Sequence, residues 1–325
     1  MKIGIVGLGG MGSVHGSKYV QMDGIELLCF DPDPERAKSY AERFGATPVA
    51  SLDDLLAKCD LADLCVPNDL HFELGKKAIS SGVGILLEKP MTMSVADSVA
   101  LAEAAEKAGV PLMVAHVVRY FAEYRRAHDS IIGGAVGNPA SARLRRGGLA
   151  PTGAGGWFRD PSRSGGVLLD LAIHDFDWLR WTFGEVKSIF SRSVALSTNR
   201  DCSNGDYAVS LLTFDSGLVA HVESTWMDPS GFRTTIEVSG STGTLEHDSR
   251  DSWTMKVHTP DGSRQESPLA ASDDPYYLEI SEFLDSVRAK TPPPVPVRDA
   301  IMAVSIATAA MESAKTGRAI SPQRV

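Results

Sequence analysis

The sequence predicts an α/β protein with two parts: a doubly wound parallel sheet, then a second α/β domain whose sheet is mostly antiparallel. Three observations predict this class. A glycine-rich turn follows the first apolar run, strands and helices then alternate through about residue 118, and short alternating strands fill the region from about residue 187 to 268. A length of 325 residues also suggests two domains.

The turn after the first strand has the layout of a dinucleotide-binding loop. The apolar run Ile3–Val6 leads into a glycine turn and then a helical segment; the turn contains Gly7, Leu8, Gly9, Gly10, Met11 and Gly12. Its three spaced glycines allow a sharp turn, close approach of the backbone to a pyrophosphate, and tight packing of the helix. The helix N–H groups then face the anion. The alternative is an ordinary strand–helix–strand unit with a glycine turn.

The next strand ends in an acidic residue that indicates the type of cofactor. The apolar run Ile25–Phe30 is followed by Asp31, which lies 19 residues after Gly12, near the spacing of about 20 residues for an acid that bonds the adenosine ribose. A carboxylate there accepts from two free hydroxyls and repels a 2′-phosphate, which favours NAD over NADP. Arg36 and Lys38 on the next helix weaken this preference, so NADP is left open.

The composition excludes several classes of function. A net charge of −9 and a pI of about 5.4 argue against nucleic acid as a partner. The sequence has no run of eighteen apolar residues and no signal-peptide pattern, so we expect no membrane span and a cytoplasmic protein. The cysteines have no CxxC spacing and are expected to be reduced thiols, not a zinc site; they are Cys29, Cys59, Cys65 and Cys202.

The elements of the first part follow from short apolar runs and from helix caps. The predicted strands are Ile3–Val6, Glu26–Phe30, Thr47–Val49, Ala62–Val66, Gly84–Leu87 and Leu112–Val117. A helix begins at Pro34 and stops at Gly45, another is capped by Ser51 with Asp54, and a third runs from Ser94 to Gly109. This alternation predicts a parallel sheet with its cofactor beyond the carboxyl ends of the strands.

The second part has a different pattern. We predict a helix at Phe121–Ile132, a strand at Ala140–Arg146, a mobile glycine-rich loop from Gly147 to Gly156, and a long helix at about Gly166–Phe183. Hairpin turns are predicted at residues 215–217, 241–243 and 260–262. Helices near Asp274–Lys290 and Val297–Lys315 complete the chain.

The first candidate for acid–base chemistry is the segment Glu88-Lys89-Pro90 at the end of the fifth predicted strand. That edge of a doubly wound sheet faces the cofactor. A half-buried lysine there can donate to a substrate oxygen or take part in proton transfer. The alternative is a surface lysine in a strand-to-loop turn.

The second candidate is the pair Asp170 and His174, four residues apart in an apolar helical segment. This spacing puts both on one helix face, where the acid can orient the imidazole and tune its basicity. The alternative is a histidine that is only a satisfied core residue. A metal site of His174 with Asp170 or Asp177 is disfavoured, because the segment supplies only one nitrogen ligand.

These motifs, together with Val66-Pro67-Asn68 and His71, resemble the glucose–fructose oxidoreductase / inositol dehydrogenase / rhizopine catabolism (Gfo/Idh/MocA) family across nearly the whole chain. The resemblance implies an NAD(P)-binding Rossmann domain at residues 1–118. It also implies a substrate-binding and oligomerisation α/β domain at residues 119–325, with a large open sheet that often forms the subunit interface. The final helix, about residues 297–315, is expected to pack back on the first domain, and the protein to be a homodimer or homotetramer.

The family's functional residues carry over as implications of this resemblance. Lys89, Asp170 and His174 match its catalytic triad, with His174 as the base, Lys89 as a donor to the same oxygen and Asp170 orienting the pair. The cofactor contacts near the nicotinamide are expected from Pro67, Asn68, His71, Glu88 and Lys89. The Lys89–Pro90 bond is often cis in this family.

The expected activity is oxidation of a secondary ring hydroxyl of a sugar, cyclitol or sugar derivative by NAD. Arg119 and Trp157 are candidate substrate contacts, besides Asp170 and His174. The family's inositol dehydrogenases often have Arg-Arg-Tyr where this chain has Val118-Arg119-Tyr120, which weighs against myo-inositol itself. Two alternatives remain: an enzyme that uses tightly bound NAD transiently, and a non-catalytic sugar or nucleotide sensor.

Overall fold

The computed structural model describes residues 1–151, 153–195, 206–251, 255–266 and 274–325, so Cys202 lies outside the described residues. The strands are β1 (Lys2–Val6), β2 (Glu26–Phe30), β3 (Thr47–Pro48), β4 (Leu61–Leu64), β5 (Gly84–Glu88), β6 (Leu112–Ala115), β7 (Pro139–Gly147), β8 (Val186–Val194), β9 (Tyr207–Phe214), β10 (Val219–Thr225), β11 (Arg233–Gly240), β12 (Thr244–Asp248), β13 (Met255–Thr259) and β14 (Gly262–Glu266). The α-helices are α1 (Gly10–Tyr19), α2 (Pro34–Phe44), α3 (Leu52–Leu56), α4 (His71–Ser80), α5 (Val95–Ala108), α6 (Ala122–Ile132), α7 (Pro161–Ser164), α8 (Ile173–Phe183), α9 (Pro275–Ala289) and α10 (Val297–Thr316).

The chain divides into two compact units. The first contains Met1–Val117, Gly153–Trp157 and Asp274–Ile301, and the second contains Val118–Thr152, Phe158–Asp273 and Met302–Val325. This division assigns the first residues of α10 to one unit and the rest to the other. The expected packing of the final helix on the first domain stays a prediction, as does the boundary at residue 118.

The first unit is built on a parallel six-stranded sheet in the order β3-β2-β1-β4-β5-β6. This confirms the doubly wound sheet, and it puts the ends of β1 and β4 side by side at the point where the strand order reverses. β4 and β5 are buried along their whole length, as expected for strands covered on both faces.

The helix boundaries of this unit follow the predicted caps. The Ser51 and Ser94 hydroxyls each accept from the backbone N–H three residues on, and Gly45 and Gly109 end their helices in the left-handed conformation. The predicted sixth strand is two residues too long. The His116 amide turns back to donate to the Val114 carbonyl at 2.9 Å, and a 3₁₀ turn follows at Val117–Tyr120.

The second unit contains an eight-stranded sheet in the order β14-β13-β12-β11-β7-β10-β9-β8, in which β7 and β10 are parallel and the other neighbours are antiparallel. The three predicted hairpin turns are confirmed, because they connect β9 to β10, β11 to β12 and β13 to β14. Buried and exposed residues alternate along these strands, so one face is covered and the other is open.

The long helix predicted at about residues 166–183 is interrupted. A π-helical segment, Val167–Leu171, comes first, and its Ala172 amide donates to the Val167 carbonyl at 2.8 Å, a bond over five residues. The regular helix α8 begins only at Ile173. One extra residue in the turn produces this change, and nothing in the apolar sequence marks it.

Among the described residues, no helix is both long enough and apolar enough to span a membrane.

Candidate active site

The glycine turn in the first unit has an open, left-handed backbone geometry that glycine adopts without strain. Gly7 has φ of +86°, and a Cβ there would lie 2.5 Å from the Cys65 carbonyl oxygen. A Cβ on Gly12 would lie 2.1 Å from the Gly7 carbonyl oxygen, so the helix can approach the strand only with glycine here. At Gly9 and Gly10, by contrast, a Cβ would meet nothing within 4 Å. The backbone is therefore open on the side where a ligand would lie.

The start of helix α1 is suited to an anion. Its first residue is Gly10, its N-cap is Gly9, and no side chain caps it and no acidic residue occupies its first turn. Met11 in that turn is half-buried, and the Tyr40 hydroxyl donates to the Gly12 carbonyl at 2.8 Å. Uncapped N–H groups with the positive end of the helix dipole favour a bound phosphate.

Asp31 lies at the end of β2 and is held by three neighbours. Its carboxylate accepts from the Leu8 amide at 2.9 Å and the Asp33 amide at 3.0 Å. Arg36 donates one guanidinium nitrogen to both carboxylate oxygens, at 3.0 and 3.1 Å. The acid is thus fixed beside the glycine turn, with the predicted cationic neighbour in direct contact.

The segment after β4 contains the predicted nicotinamide-side residues. Pro67 is half-buried, Asn68 is buried in a short 3₁₀ turn, and His71 begins α4. His71 is fully buried, with Nδ1 2.6 Å from the Pro90 carbonyl oxygen and Nε2 2.9 Å from that of Val66. Burial lowers the pKa of His71 even though both nitrogens face carbonyl oxygens. A neutral ring donates to only one of them, and in either tautomer the ring lies between two loops.

Lys89 lies directly after β5, half-buried, and its bond to Pro90 is cis, as the resemblance implied. Glu88 is buried, and its Oε2 accepts from the Lys89 amide at 3.1 Å. The His71 contact with Pro90 adds a second attachment. The turn that carries Lys89 is therefore held by side chains from both sides.

The sequence reading missed two residues beneath this turn, His15 and Asp63. His15 Nδ1 lies 2.8 Å from Asp63 Oδ2, and its Nε2 lies 3.2 Å from Glu88 Oε1. The second distance is that of an ion pair whose angle is poor for a hydrogen bond. The signal for this cluster was an acidic residue inside an otherwise apolar, buried strand.

His15 and Asp63 of this cluster, together with Cys65, are the group of described residues that has metal-ligand spacing. Ligand atoms of His15, Asp63 and Cys65 lie within 4.8 Å of one another. They are turned toward each other: Cys65 Sγ lies 3.3 Å from Asp63 Oδ1, and Tyr19 donates to Asp63 Oδ2 at 2.9 Å. This is the geometry of a hydrogen-bonded cluster, with the acceptor oxygens already used.

The other two predicted catalytic residues are in the second unit. Asp170 is buried in the π-helical segment, and His174 is half-buried in the first turn of α8. Because the π turn is wider than an α turn, their angular separation differs from that of two residues four apart in a regular helix. Such π segments occur frequently at functional sites.

The two candidate substrate contacts differ in their surroundings. Arg119 is buried and donates through Nε and one terminal nitrogen to the two oxygens of Asp177, at 2.8 and 2.6 Å. Its guanidinium carbon also lies 5.3 Å from the centre of the Trp181 ring. Trp157 is half-buried in the short segment that belongs to the first unit. Direct contact of either residue with a substrate stays a prediction.

Two domain descriptions of one family match the chain. The "Oxidoreductase family, NAD-binding Rossmann fold" matches residues 1–116, and the "GFO/IDH/MocA C-terminal domain" matches residues 124–246. Together they cover more than half of the chain and confirm the resemblance found in the sequence.

Three relatives are similar over nearly the full length. Myo-inositol 2-dehydrogenase of Thermotoga maritima is 27% identical, with 100% of this chain and 99% of that protein covered. UDP-N-acetylglucosamine 3-dehydrogenase of Acidithiobacillus ferrooxidans is 28% identical, with 90% of each covered. The crystal structure of GenD2 from gentamicin A biosynthesis, in complex with NAD, is 25% identical with a TM-score of 0.88 and covers 99% of this chain and 96% of that one.

Proposed function

Because this chain belongs to the Gfo/Idh/MocA family of NAD-binding oxidoreductases, we propose that it oxidises a secondary ring hydroxyl of a sugar, a cyclitol or a sugar derivative. The observation that carries the proposal is the open glycine turn in a chain of this family. Lys89, Asp170 and His174 are the residues that the resemblance implies as its catalytic triad. NAD, when bound, supplies nicotinamide C4 as the hydride acceptor.

The first unit binds the cofactor. The uncapped start of α1 accepts the pyrophosphate, and Asp31 accepts from the ribose hydroxyls. The carboxylate favours NAD, while Arg36 at 3.0 Å provides a cation that reduces repulsion of a 2′-phosphate. NAD is therefore the preferred cofactor, with weaker use of NADP. Pro67, Asn68, Glu88 and Lys89 are proposed contacts at the nicotinamide end, and His71 shapes the loop that carries them.

Three side chains carry the acid–base work in this proposal. His174 takes the hydroxyl proton as the hydride leaves the same carbon. Lys89 donates to that oxygen and stabilises its developing negative charge, and Asp170 orients and tunes the pair. A placed base contributes about 10²- to 10⁴-fold, because an alkoxide is scarce at neutral pH without one.

The deciding experiment is a screen for NAD⁺ reduction by the purified protein, with cyclitols, aldoses, glycosides, sugar acids and UDP-sugars as substrates and NADP⁺ in parallel. A substrate that gives steady formation of free NADH supports the proposal and fixes the substrate class. Turnover without exchange of NADH, measured by adding an NADH-consuming enzyme, would favour the transient use of tightly bound NAD. Binding of NAD and sugar without any turnover would favour a sensor.

Variants of the proposed catalytic residues sharpen that test. We expect His174→Ala and Lys89→Met each to lower turnover by at least about 100-fold while the Kd for NAD changes little. The matched control is Arg143→Gln, which removes an exposed charge on β7. Full turnover in His174→Ala would remove this residue from the role of base.

We also infer that the protein assembles as a homodimer or homotetramer in the cytoplasm. Support for assembly comes from apolar side chains on the open face of the second unit's sheet, where Phe190, Leu211 and Val219 are 37%, 46% and 40% exposed. Exposed apolar side chains grouped on neighbouring strands favour association. Light scattering of the purified protein tests the oligomer, and cell fractionation tests the location.

A further inference from the structure

The first unit contains a buried group of ionisable side chains that the proposed mechanism does not use. His15 on α1 is fully buried, and it lies between Asp63 on β4 and Glu88 on β5. The two carboxylates lie on opposite sides of the imidazole, one near each ring nitrogen, at 2.8 and 3.2 Å. A single ring therefore spans two neighbouring strands.

Two carboxylates beside one buried ring favour its cationic form. Burial lowers the pKa of His15 and is the largest single influence, but the neighbouring Asp63 and Cys65 together outweigh it and raise this pKa well above its ordinary value. Two N–H groups are then present, one for each carboxylate, whereas a neutral ring has only one. The ionisable groups around the ring are Tyr19 on α1, Tyr40 on α2, Asp63 on β4, Cys65 just after β4, Glu88 on β5, and Tyr276 on α9.

The far end of this cluster reaches the turn that carries Lys89. Glu88 Oε1 faces His15, while its Oε2 accepts from the Lys89 amide at 3.1 Å. The carboxylate is thus held between the ring and the backbone of the next residue. The near end of the cluster lies on α1, six residues after the Gly9 N-cap. A rigid aromatic ring therefore links the helix of the glycine turn to the backbone of Lys89.

We propose that His15 is a positioning residue for Lys89: its ring fixes the Glu88 carboxylate, which in turn fixes the Lys89 backbone. This rests on the proposed function, in which Lys89 donates to the reacting oxygen. Asp63 orients His15 by holding Nδ1, and the bond from Tyr19 to the same Asp63 oxygen supports the acid without reaching Glu88. Catalytic groups need geometry held to well under 1 Å, because a displacement of that size can cost about 100-fold.

The first arm of the test is nitrogen NMR of the imidazole in the full-length protein without cofactor. We expect two protonated ring nitrogens for His15, identified by their loss in His15→Gln. Glu88→Gln should shift the Nε2 signal most, and Asp63→Asn the Nδ1 signal. An unprotonated Nε2 at neutral pH, or an Nε2 signal that Glu88→Gln leaves unchanged, would contradict the proposed link from His15 to Glu88.

The second arm separates positioning from folding with two isosteres. The asparagine amide nitrogen occupies the place of Nδ1 and that of glutamine the place of Nε2, so His15→Asn keeps a donor toward Asp63 and His15→Gln keeps one toward Glu88. We expect His15→Asn to shift the Lys89 amide signal and to lower turnover roughly ten-fold. His15→Gln should retain more turnover, whichever variant is the more stable, and the Kd for NAD should stay within about two-fold in both.

Tyr19→Phe is the matched control, because it removes a hydrogen bond to the same Asp63 oxygen but leaves the ring and Glu88 in place. It should keep the Lys89 amide signal and full turnover. If turnover in all three variants simply followed their thermal stability, the role would be structural and the proposal wrong. If the wild-type protein reduced NAD⁺ with none of the substrates in the screen, the proposed function would fail. The NMR signals would still decide whether the ring holds the Lys89 turn.

Discussion

The two units pair their buried carboxylates with nitrogen donors in different ways. In the first, the imidazole of His15 lies between Asp63 and Glu88, with one nitrogen toward each. In the second, Arg146 donates through two nitrogens to Asp175, at 3.0 and 2.9 Å. The ring nitrogens point apart and join two strands, whereas the parallel N–H groups of a guanidinium hold one carboxylate. The imidazole of His15 links two strands and can lose a proton. The guanidinium of Arg146 holds one acid and keeps its protons.

The strongest test of the fixed pair is Asp175→Ala. Arg146 and Asp175 are both buried, and removing the acid leaves a guanidinium without its counter-charge. Burial alone lowers the pKa of Arg146, but Asp175 raises it above its ordinary value, so the arginine stays charged at every usable pH. We expect the free energy of unfolding to fall by about 3–5 kcal/mol in chemical denaturation. A loss below about 1 kcal/mol would mean that water reaches the cation.

The next largest effect concerns pH and distinguishes the two units directly. The folded-state pKa of His15 is raised, so its stabilisation is complete below about pH 6.5, the pKa of an unfolded histidine. That stabilisation is lost as pH rises through the folded pKa, with a slope of at most about 1.4 kcal/mol per pH unit. As pH rises from about 6.5 through the folded pKa of His15, we expect amide exchange in β4 to accelerate beyond the intrinsic pH effect. Amide exchange in β7, which carries Arg146, should change less. Equal responses in β4 and β7, or an unchanged β4 profile in His15→Asn, would contradict the comparison.

A smaller effect is expected where the first unit uses a neutral hydrogen bond. Burial raises the pKa of Tyr40, so its hydroxyl is an uncharged donor to the Gly12 carbonyl. Tyr40→Phe should lower the free energy of unfolding by about 1 kcal/mol at every pH from 5 to 9, because this whole range lies below an ordinary tyrosine pKa of about 10. A pH-dependent loss would show that Tyr40 is coupled to the charged cluster.

The smallest effect is expected at Arg143, three positions before Arg146 on the same strand. Its side chain is 68% exposed and pairs with Glu237 at 3.0 Å. Arg143→Gln should change the free energy of unfolding by at most about 0.5 kcal/mol, and this change should disappear in high salt. A larger, salt-resistant loss would mean that the subunit contact proposed for this sheet face extends over Arg143, which light scattering of the same variant would reveal.

Local signals in the sequence were enough to predict the parallel sheet and the cofactor turn. The glycines, the caps at Ser51 and Ser94 and the hairpin turns act within a few residues, and all are present in the structure. The missed features depend on distant partners. His15 is 48 residues from Asp63, and Arg119 is 58 residues from Asp177. The π turn before Ile173 has no sequence mark because packing selects it, not propensity.

The two tightly packed glycines of α1 have different evolutionary prospects. A methyl group on Gly16 would meet the Tyr40 hydroxyl at 2.0 Å, and a smaller residue at position 40 would relieve that overlap. A methyl group on Gly12 would meet the Gly7 carbonyl at 2.1 Å, an atom that every residue at position 7 also has. Second-site suppressors can therefore arise for Gly16 but not for Gly12. In evolution, a substitution of Gly16 can become fixed together with a change at position 40. No second substitution makes room for a larger residue at position 12.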